Sequence, residues 1–354
     1  MKKYQLVEKI GSVNTAESKA PTDVRKIAKE MGFSPINIIS KEESNNSILT
    51  RLERQYNYFI QWGRFYNKID VDSMLFIQFP LYRRELNEFR ILKKLKKAKK
   101  VKIVLLVHDI NSLRPDSSIP VKEKKRQQKE ESELFNIADQ IILHNSVMIN
   151  YLVNRGIPRS KLINLKIFDY LSPINSNKKI IFKRVINIAG NLDPKKSKYL
   201  SQLNTINCNF ILYGPNYRSL KYKNIDYRGS LAPDKVPEVL NKGLGLIWDG
   251  TEITTCSGVS GEYLKYNNPH KLSLYLSSGI PVVIWSKAAE AEFVKENKVG
   301  FLIDSLDELP VLLQSISFSE YTSLIENVQK VANNLKKGMF TKAALYNAIK
   351  NLEG

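Results

Sequence analysis

Short apolar runs recur along the chain in two series, and they constrain its fold more tightly than any other feature. The first series comprises QLVEKI from Gln5, INIIS from Ile36, MLFIQFP from Met74, VKIVLLVHD from Val101 and QIILHN from Gln140. The second comprises RVINIAG from Arg184, NFILYG from Asn209, LGLIWDG from Leu244, IPVVIW from Ile280 and VGFLID from Val299. Runs so short and so continuously apolar suit strands covered on both faces, the setting of a parallel sheet. Between the runs of the first series, residues 22–32, 48–66, 86–97 and 122–137 carry apolar side chains at three and four spacing, the period of a helix packed by one face. This alternation predicts an α/β chain with two doubly wound, Rossmann-like sheets.

The stretch 172–179 holds Pro173, several Asn and Ser residues and the pair Lys178 and Lys179, which is linker chemistry. It divides the chain into a first domain at 1–173 and a second at 174–335. Helical patterns at 319–335 and 341–352 read as packing elements, and residues 336–354 are expected to be able to pack back on the first domain. Two such domains enclose a cleft. In open α/β sheets ligands sit outside the carboxyl ends of strands, so the loops that follow strands are where chemistry is sought.

Composition narrows the function. With 43% hydrophobic and 25% charged residues the chain is globular, and its two cysteines, Cys208 and Cys256, are too few for a disulfide framework or a thiolate metal site. The chain starts with charged residues, lacks a leader-like apolar core and offers no run of about 20 apolar residues, so a cytoplasmic location is expected. The formal charge of +20 calls for an anionic partner: nucleic acid, anionic lipid headgroups or a phosphorylated substrate. No nucleic-acid reading motif is present. The basic run at 89–102 sets Phe89, Leu92, Leu95 and Ala98 among lysines, which suits peripheral contact with an anionic inner membrane face or, equally in pattern, one helix covering a sheet.

The most informative segment is GEYLKYNNPHKLSLYLSSGIPVVIW from Gly261. Asn268 can cap a helix and Pro269 fits a first turn, Leu272, Tyr275 and Leu276 make an apolar face, and Gly279 ends the helix before the next strand. A helix starting there presents free N–H groups and a positive dipole end, and Lys271 adds a full charge, which together suit a diphosphate. His108 and Asp109 end a strongly apolar strand, so their side chains emerge at the cleft edge. Either is a candidate base for a hydroxyl proton, with His144 behind them, and either can instead be a structural hydrogen-bonder. Asp70-Val71-Asp72 looks like a metal-binding acid pair but precedes an apolar strand, where a turn is expected. The three histidines have no metal-ligand spacing, so no metal and no cofactor are expected.

The pattern Pro, any residue, Lys, Leu, followed by a helix ending in Gly-Ile-Pro-Val, resembles the donor-binding segment of GT-B glycosyltransferases. The wider set AGNL, HDINSLR, IFDYL, WDG, CSGVSGEYLKYNNPHK and KAPTDVRKIAKEMGF is similar to the family of bacterial galactofuranosyltransferases and adhesin-glycan glucosyltransferases. The resemblance implies a GT-B fold that takes a UDP-sugar as donor substrate and transfers glucose or galactofuranose. The implied acceptor is a glycan, such as GlcNAc on a serine-rich adhesin or a surface polysaccharide precursor. A homo-oligomer is also implied, and a non-catalytic GT-B-like partner subunit is the alternative.

By the same resemblance Asn268, Pro269, His270, Lys271, Leu272 and Ser273 contact the donor. Gly258, Gly261, Glu262 and Tyr263 form a loop closing over it, and Asn191, Lys196, Tyr213 and Gly214 lie in the turns after the first two strands of the second sheet. In the first domain, Thr15 and Lys19 belong to the loop facing the donor. Leu274 stands where many GT-B enzymes carry a ribose-binding carboxylate, so ribose recognition must come from elsewhere.

Overall fold

The computed structural model describes residues 1–10, 19–40, 47–81, 88–114, 116, 118–172, 179–218 and 222–354. The linker residues 173–178 and the loop residues Gly11, Ser12, Asn14 and Thr15 lie outside this set. Among the described residues the strands of the first domain are β1 (Lys3–Ile10), β2 (Ser34–Ser40), β3 (Met74–Phe79), β4 (Lys102–Val107), β5 (Gln140–Leu143) and β6 (Leu162–Asn164). Those of the second are β7 (Ile181–Ala189), β8 (Asn209–Tyr213), β9 (Ile225–Tyr227), β10 (Lys242–Ile247), β11 (Val282–Trp285) and β12 (Gly300–Ile303). The helices of the first domain are α1 (Lys19–Glu30), α2 (Ile48–Lys68), α3 (Glu88–Lys99), α4 (Val121–Ile137) and α5 (Ser146–Val153). They are followed by α6 (Val236–Val239), α7 (Gly258–Tyr263), α8 (His270–Ser277), α9 (Ala291–Glu296), α10 (Leu309–Ser315), α11 (Phe318–Lys336) and α12 (Met339–Glu353).

Both sheets are parallel, in the orders β2-β1-β3-β4-β5-β6 and β12-β11-β10-β7-β8-β9. The order reverses between β1 and β3 in one domain and between β7 and β10 in the other. Each reversal opens a crevice beyond the strand ends.

Side-chain alternation along each strand decides which helix covers which face. Leu75 and Ile77 of β3 join a core with Trp62 of α2, Leu92 and Leu95 of α3 and Leu134 of α4. Met74 and Phe76 point the other way and pack with Val24 and Ala28 of α1 and with Ala344, Leu345 and Ala348 of α12. The last helix thus returns from the second domain to cover the first sheet, where burying Leu345 alone contributes about 1.5–3 kcal/mol. The apolar face of 89–102 covers the sheet, with Leu92 and Leu95 wholly inaccessible. Asp70 and Asp72 form a turn, with Asp72 at φ 51° and Asp70 accepting from Tyr4 and paired with Lys2. Among the described residues no helix is long and apolar enough to cross a membrane.

Candidate active site

The two crevices face one another across a cavity of about 510 Å³. Its second-domain wall is built from strand ends. β7 runs into Gly190 and Asn191, and β8 into Gly214, whose backbone lies so close to its neighbour that a Cβ there would stand 1.7 Å from the Gly190 carbonyl oxygen. At φ +147° Gly214 also occupies backbone space closed to other residues. Asn191 Oδ1 accepts from Asp193 N and from Asn216 Nδ2, which fixes the turn, and exposed Lys196 follows it with no acidic partner among the described residues. The Tyr213 ring lines the same wall. Beneath these turns Tyr275 of α8 accepts from Ala189 N at 2.7 Å and donates to the Asn187 carbonyl, so its buried hydroxyl holds the end of β7 in place.

The start of α8 forms the adjoining wall. Its first N–H groups have no intrahelical acceptor. The cap differs from the sequence expectation, because Pro269 occupies the N-cap position with no side-chain bond. Asn268 is instead buried, its N–H donating to His144 Nδ1 at 2.8 Å and its amide to the Lys166 carbonyl. The charge of Lys271 is already engaged. Its Nζ lies 2.9 Å from both Asp249 Oδ1 and the Trp248 carbonyl oxygen, a pair drawn from the end of β10 and mostly shielded from water.

The first domain contributes Lys19, His108, Asp109 and Arg114. Lys19 Nζ meets Asp23 at 2.7 Å, Asp234 of the second domain at 2.9 Å and the Leu171 carbonyl at 2.6 Å, which makes it a clamp between domains. Asp109 accepts from Arg114 at 2.7 Å, and that guanidinium lies over the Tyr263 ring. All three histidines of the chain gather at Phe168, with His108 stacked on it, His144 edge-on, and His270 between Phe168 and Tyr170. Burial pushes His108 down to about 3 and both His144 and His270 to about 4, so the rings are neutral.

The tautomer of His108 follows from its neighbour. Gln78 Nε2 donates to the Pro21 carbonyl, which turns its Oε1 toward His108 Nε2 at 2.7 Å. A carbonyl oxygen cannot donate, so the proton of His108 sits on Nε2 and Nδ1 keeps its lone pair. Among the described residues nothing donates to that atom. A second cavity of about 190 Å³, lined by Glu8, Pro21, Arg25, Gln78 and Pro80, shares His108 and Asp109 with the large one.

Of the expected donor contacts, Lys19, Asn191, Lys196, Tyr213, Gly214, Asn268, Pro269, His270 and Lys271 come together around the large cavity with His108 and Asp109. The others do not line it. Leu272 is core, and Ser273 is buried and donates to the Phe168 carbonyl at 2.6 Å. Tyr263 is buried and accepts from Ile110 N at 3.0 Å, a bond between domains. Gly261 lacks a side chain because the Cys256 backbone packs on it, Gly258 begins α7 beside Thr251, and Glu262 pairs with Lys265 at the surface. These residues support the wall, since the segment winds into α7 and faces the domain seam. Thr15 lies outside the described residues. Gln78, Arg114 and Asp249 were not singled out in the sequence, although Arg114 and Asp249 sit inside the motifs HDINSLR and WDG, and Tyr275 is read there only as part of an apolar helix face. Among the described residues no group of three or more His, Cys, Asp or Glu side chains could hold a metal ion.

Solved structures share this architecture end to end. The chain covers 98% of itself and 99% of HepE from Anabaena, solved in complex with UDP, at TM-score 0.58 and 11% identity. For the sucrose-phosphate synthase of Thermosynechococcus elongatus the coverage is the same, at TM-score 0.60 and 10% identity. The fold is GT-B. Residues 3–167 match the model of the glucosyltransferase 3-like N-terminal domain and residues 186–348 that of its C-terminal domain. Among its relatives, the β-1,6-galactofuranosyltransferase WbbI of Escherichia coli K12 is 34% identical over 256 residues, 71% of this chain and 72% of that protein. Glucosyltransferase 3 of Streptococcus gordonii is 25% identical over 338 residues, 93% of each chain. The chain belongs to the glucosyltransferase 3-like family.

Proposed function

We propose that this enzyme transfers a hexosyl group, galactofuranose or glucose, from its UDP-sugar to a hydroxyl of a sugar acceptor in a cell-surface glycan or adhesin glycan. The observation that carries this reading is the convergence, on one cavity, of the α8 amino end, the Gly190 and Gly214 turns and the pair His108 and Asp109. The two sugars are those for which its relatives are named. The diphosphate rests against the first N–H groups of α8, with Lys196 supplying charge and Lys271 sharing its own with Asp249, and this reading calls for no divalent cation.

In the transfer, the acceptor oxygen bonds to the anomeric carbon as the bond from that carbon to the diphosphate oxygen breaks. UDP leaves with the electron pair, and the hydroxyl proton passes to His108 Nδ1. Gln78 holds the ring in the tautomer this requires. Asp109, held by Arg114 on the same cavity wall, is the alternative base. The smaller cavity, which touches the same two residues from the first-domain side, receives the acceptor sugar.

A panel of UDP-sugars with a GlcNAc-terminated acceptor tests the reading, with UDP release and product mass as readouts. UDP-galactofuranose or UDP-glucose should turn over, and EDTA should leave the rate unchanged. Absence of turnover with every donor, despite UDP binding, favours a non-catalytic partner subunit instead. Rate loss restored by a divalent ion would discard the metal-free mechanism.

A further inference from the structure

Helix α2 carries two apolar stripes. Tyr58, Trp62 and Phe65 form the first and are buried in the core. Leu52, Tyr56 and Phe59 repeat the same four and three spacing elsewhere on the helix and are 62%, 65% and 61% exposed. At about 100° per residue the stripes lie roughly 120° apart, and a helix that covers a sheet needs only one of them. The exposed stripe runs on toward Tyr66, where the ammonium groups of Lys94 and Lys99 from α3 sit 4.6 and 4.4 Å from the ring centre.

Helix α3 contributes the opposite property. Its apolar residues Leu92 and Leu95 are spent on the core, and its one acid, Glu88, is buried. Its outer surface carries Arg90, Lys94 and Lys97 at helical spacing, with Lys93 beside them and Lys100 just beyond its end. Among the described residues no carboxylate pairs with Lys94, Lys97 or Lys100. An apolar stripe and a lysine row therefore lie side by side on one layer of helices.

We infer that the outer surface of α2 and α3 docks on an anionic lipid bilayer, with Leu52, Tyr56 and Phe59 entering the interface and the α3 lysines meeting the headgroups. Charge selects this occupant. A second copy apposed through the same face would press two lysine rows together. Nucleic acid would satisfy the lysines and leave Leu52 without a partner. A bilayer of negative headgroups over hydrocarbon matches both halves of the surface.

Flotation of the full chain with phosphatidylcholine vesicles, and with vesicles containing phosphatidylglycerol, tests the inference. Binding is expected to the anionic vesicles only. Leu52→Ser, Tyr56→Ser and Phe59→Ser combined should weaken it by at least about ten-fold. Lys94→Gln, Lys97→Gln and Lys100→Gln combined should weaken it by about five-fold per lysine. Thermal midpoint and UDP affinity should stay at parental values in both variants, which separates this surface from the active site. The inference is overturned by failure of the parent protein to float, or by the serine variant floating like the parent. It is equally overturned if that variant changes the oligomeric mass and not the vesicle affinity, which would assign the stripe to a second copy, or if the glutamine variant loses RNA binding while still floating.

Discussion

Replacing Lys271 by Met separates the two tasks that its position suggests, holding Asp249 and receiving a diphosphate. At 2.9 Å and an effective dielectric constant of about 20, the pair's attraction is about 6 kcal/mol before desolvation is counted. Removing the lysine strands a carboxylate that is only 6% exposed, an outcome that costs about 3–5 kcal/mol. At about 2–4 °C per kcal/mol for a domain of this size, the melting midpoint should fall by about 6–20 °C. Adding Asp249→Asn removes the stranded charge and should recover much of that loss. UDP binding should not recover with it. A charge-assisted contact contributes about 1.5–3 kcal/mol, so both variants should bind UDP roughly ten- to hundred-fold more weakly by calorimetry. A single variant melting within about 2 °C of the parent would show the pair to be energetically idle. A double variant with parental UDP affinity would remove Lys271 from the donor site.

Three further outcomes follow from the geometry. Gln78→Glu places a carboxylate on His108 Nε2–H and raises the ring's pKa, so the acid limb of kcat/KM should move up by about one unit or more, and an unmoved limb would dismiss His108 as the base. Gly214→Ala should cost at least about 1–3 kcal/mol in chemical denaturation from backbone strain alone and abolish UDP binding, because its Cβ meets the Gly190 carbonyl; parental stability with parental affinity would refute this. Burial pushes Glu290 up to about 8, so the native state keeps a proton that the unfolded chain releases above about 4.5. Stability should therefore fall as pH rises between those values and level off beyond, and Glu290→Gln should flatten this slope in thermal scans, whereas an equally steep variant would disprove it.

The architecture was legible because strands buried on both faces leave continuous apolar runs. Every run singled out in the sequence became a strand. The edge strands Leu162–Asn164 and Ile225–Tyr227 were missed, since three residues are too few to set a period. The site was legible where chemistry is local: the α8 start and the turns after β7 and β8 fall where the spacing predicts. It was illegible where partners are distant in sequence. Nothing near Lys271 announces Asp249, and nothing near His108 announces Gln78, because only the parallel register of β3 with β4 brings that amide to the ring. Tyr263 and Ser273, polar residues of the expected binding motif, turn inward to bond across the domain seam, a partnership no local pattern announces.

The return of α12 to the first sheet means that the polypeptide passes between the lobes twice, once after Leu171 and again near Gly338. The passages are neighbours: Tyr170 N–H donates to the Leu335 carbonyl, and the Asp169 carboxylate caps α12 through Phe340 and Thr341. Like two pins on one edge of a door, the paired crossings tie the lobes together at one place, so a swing about that edge strains the chain less than sliding one lobe along the other.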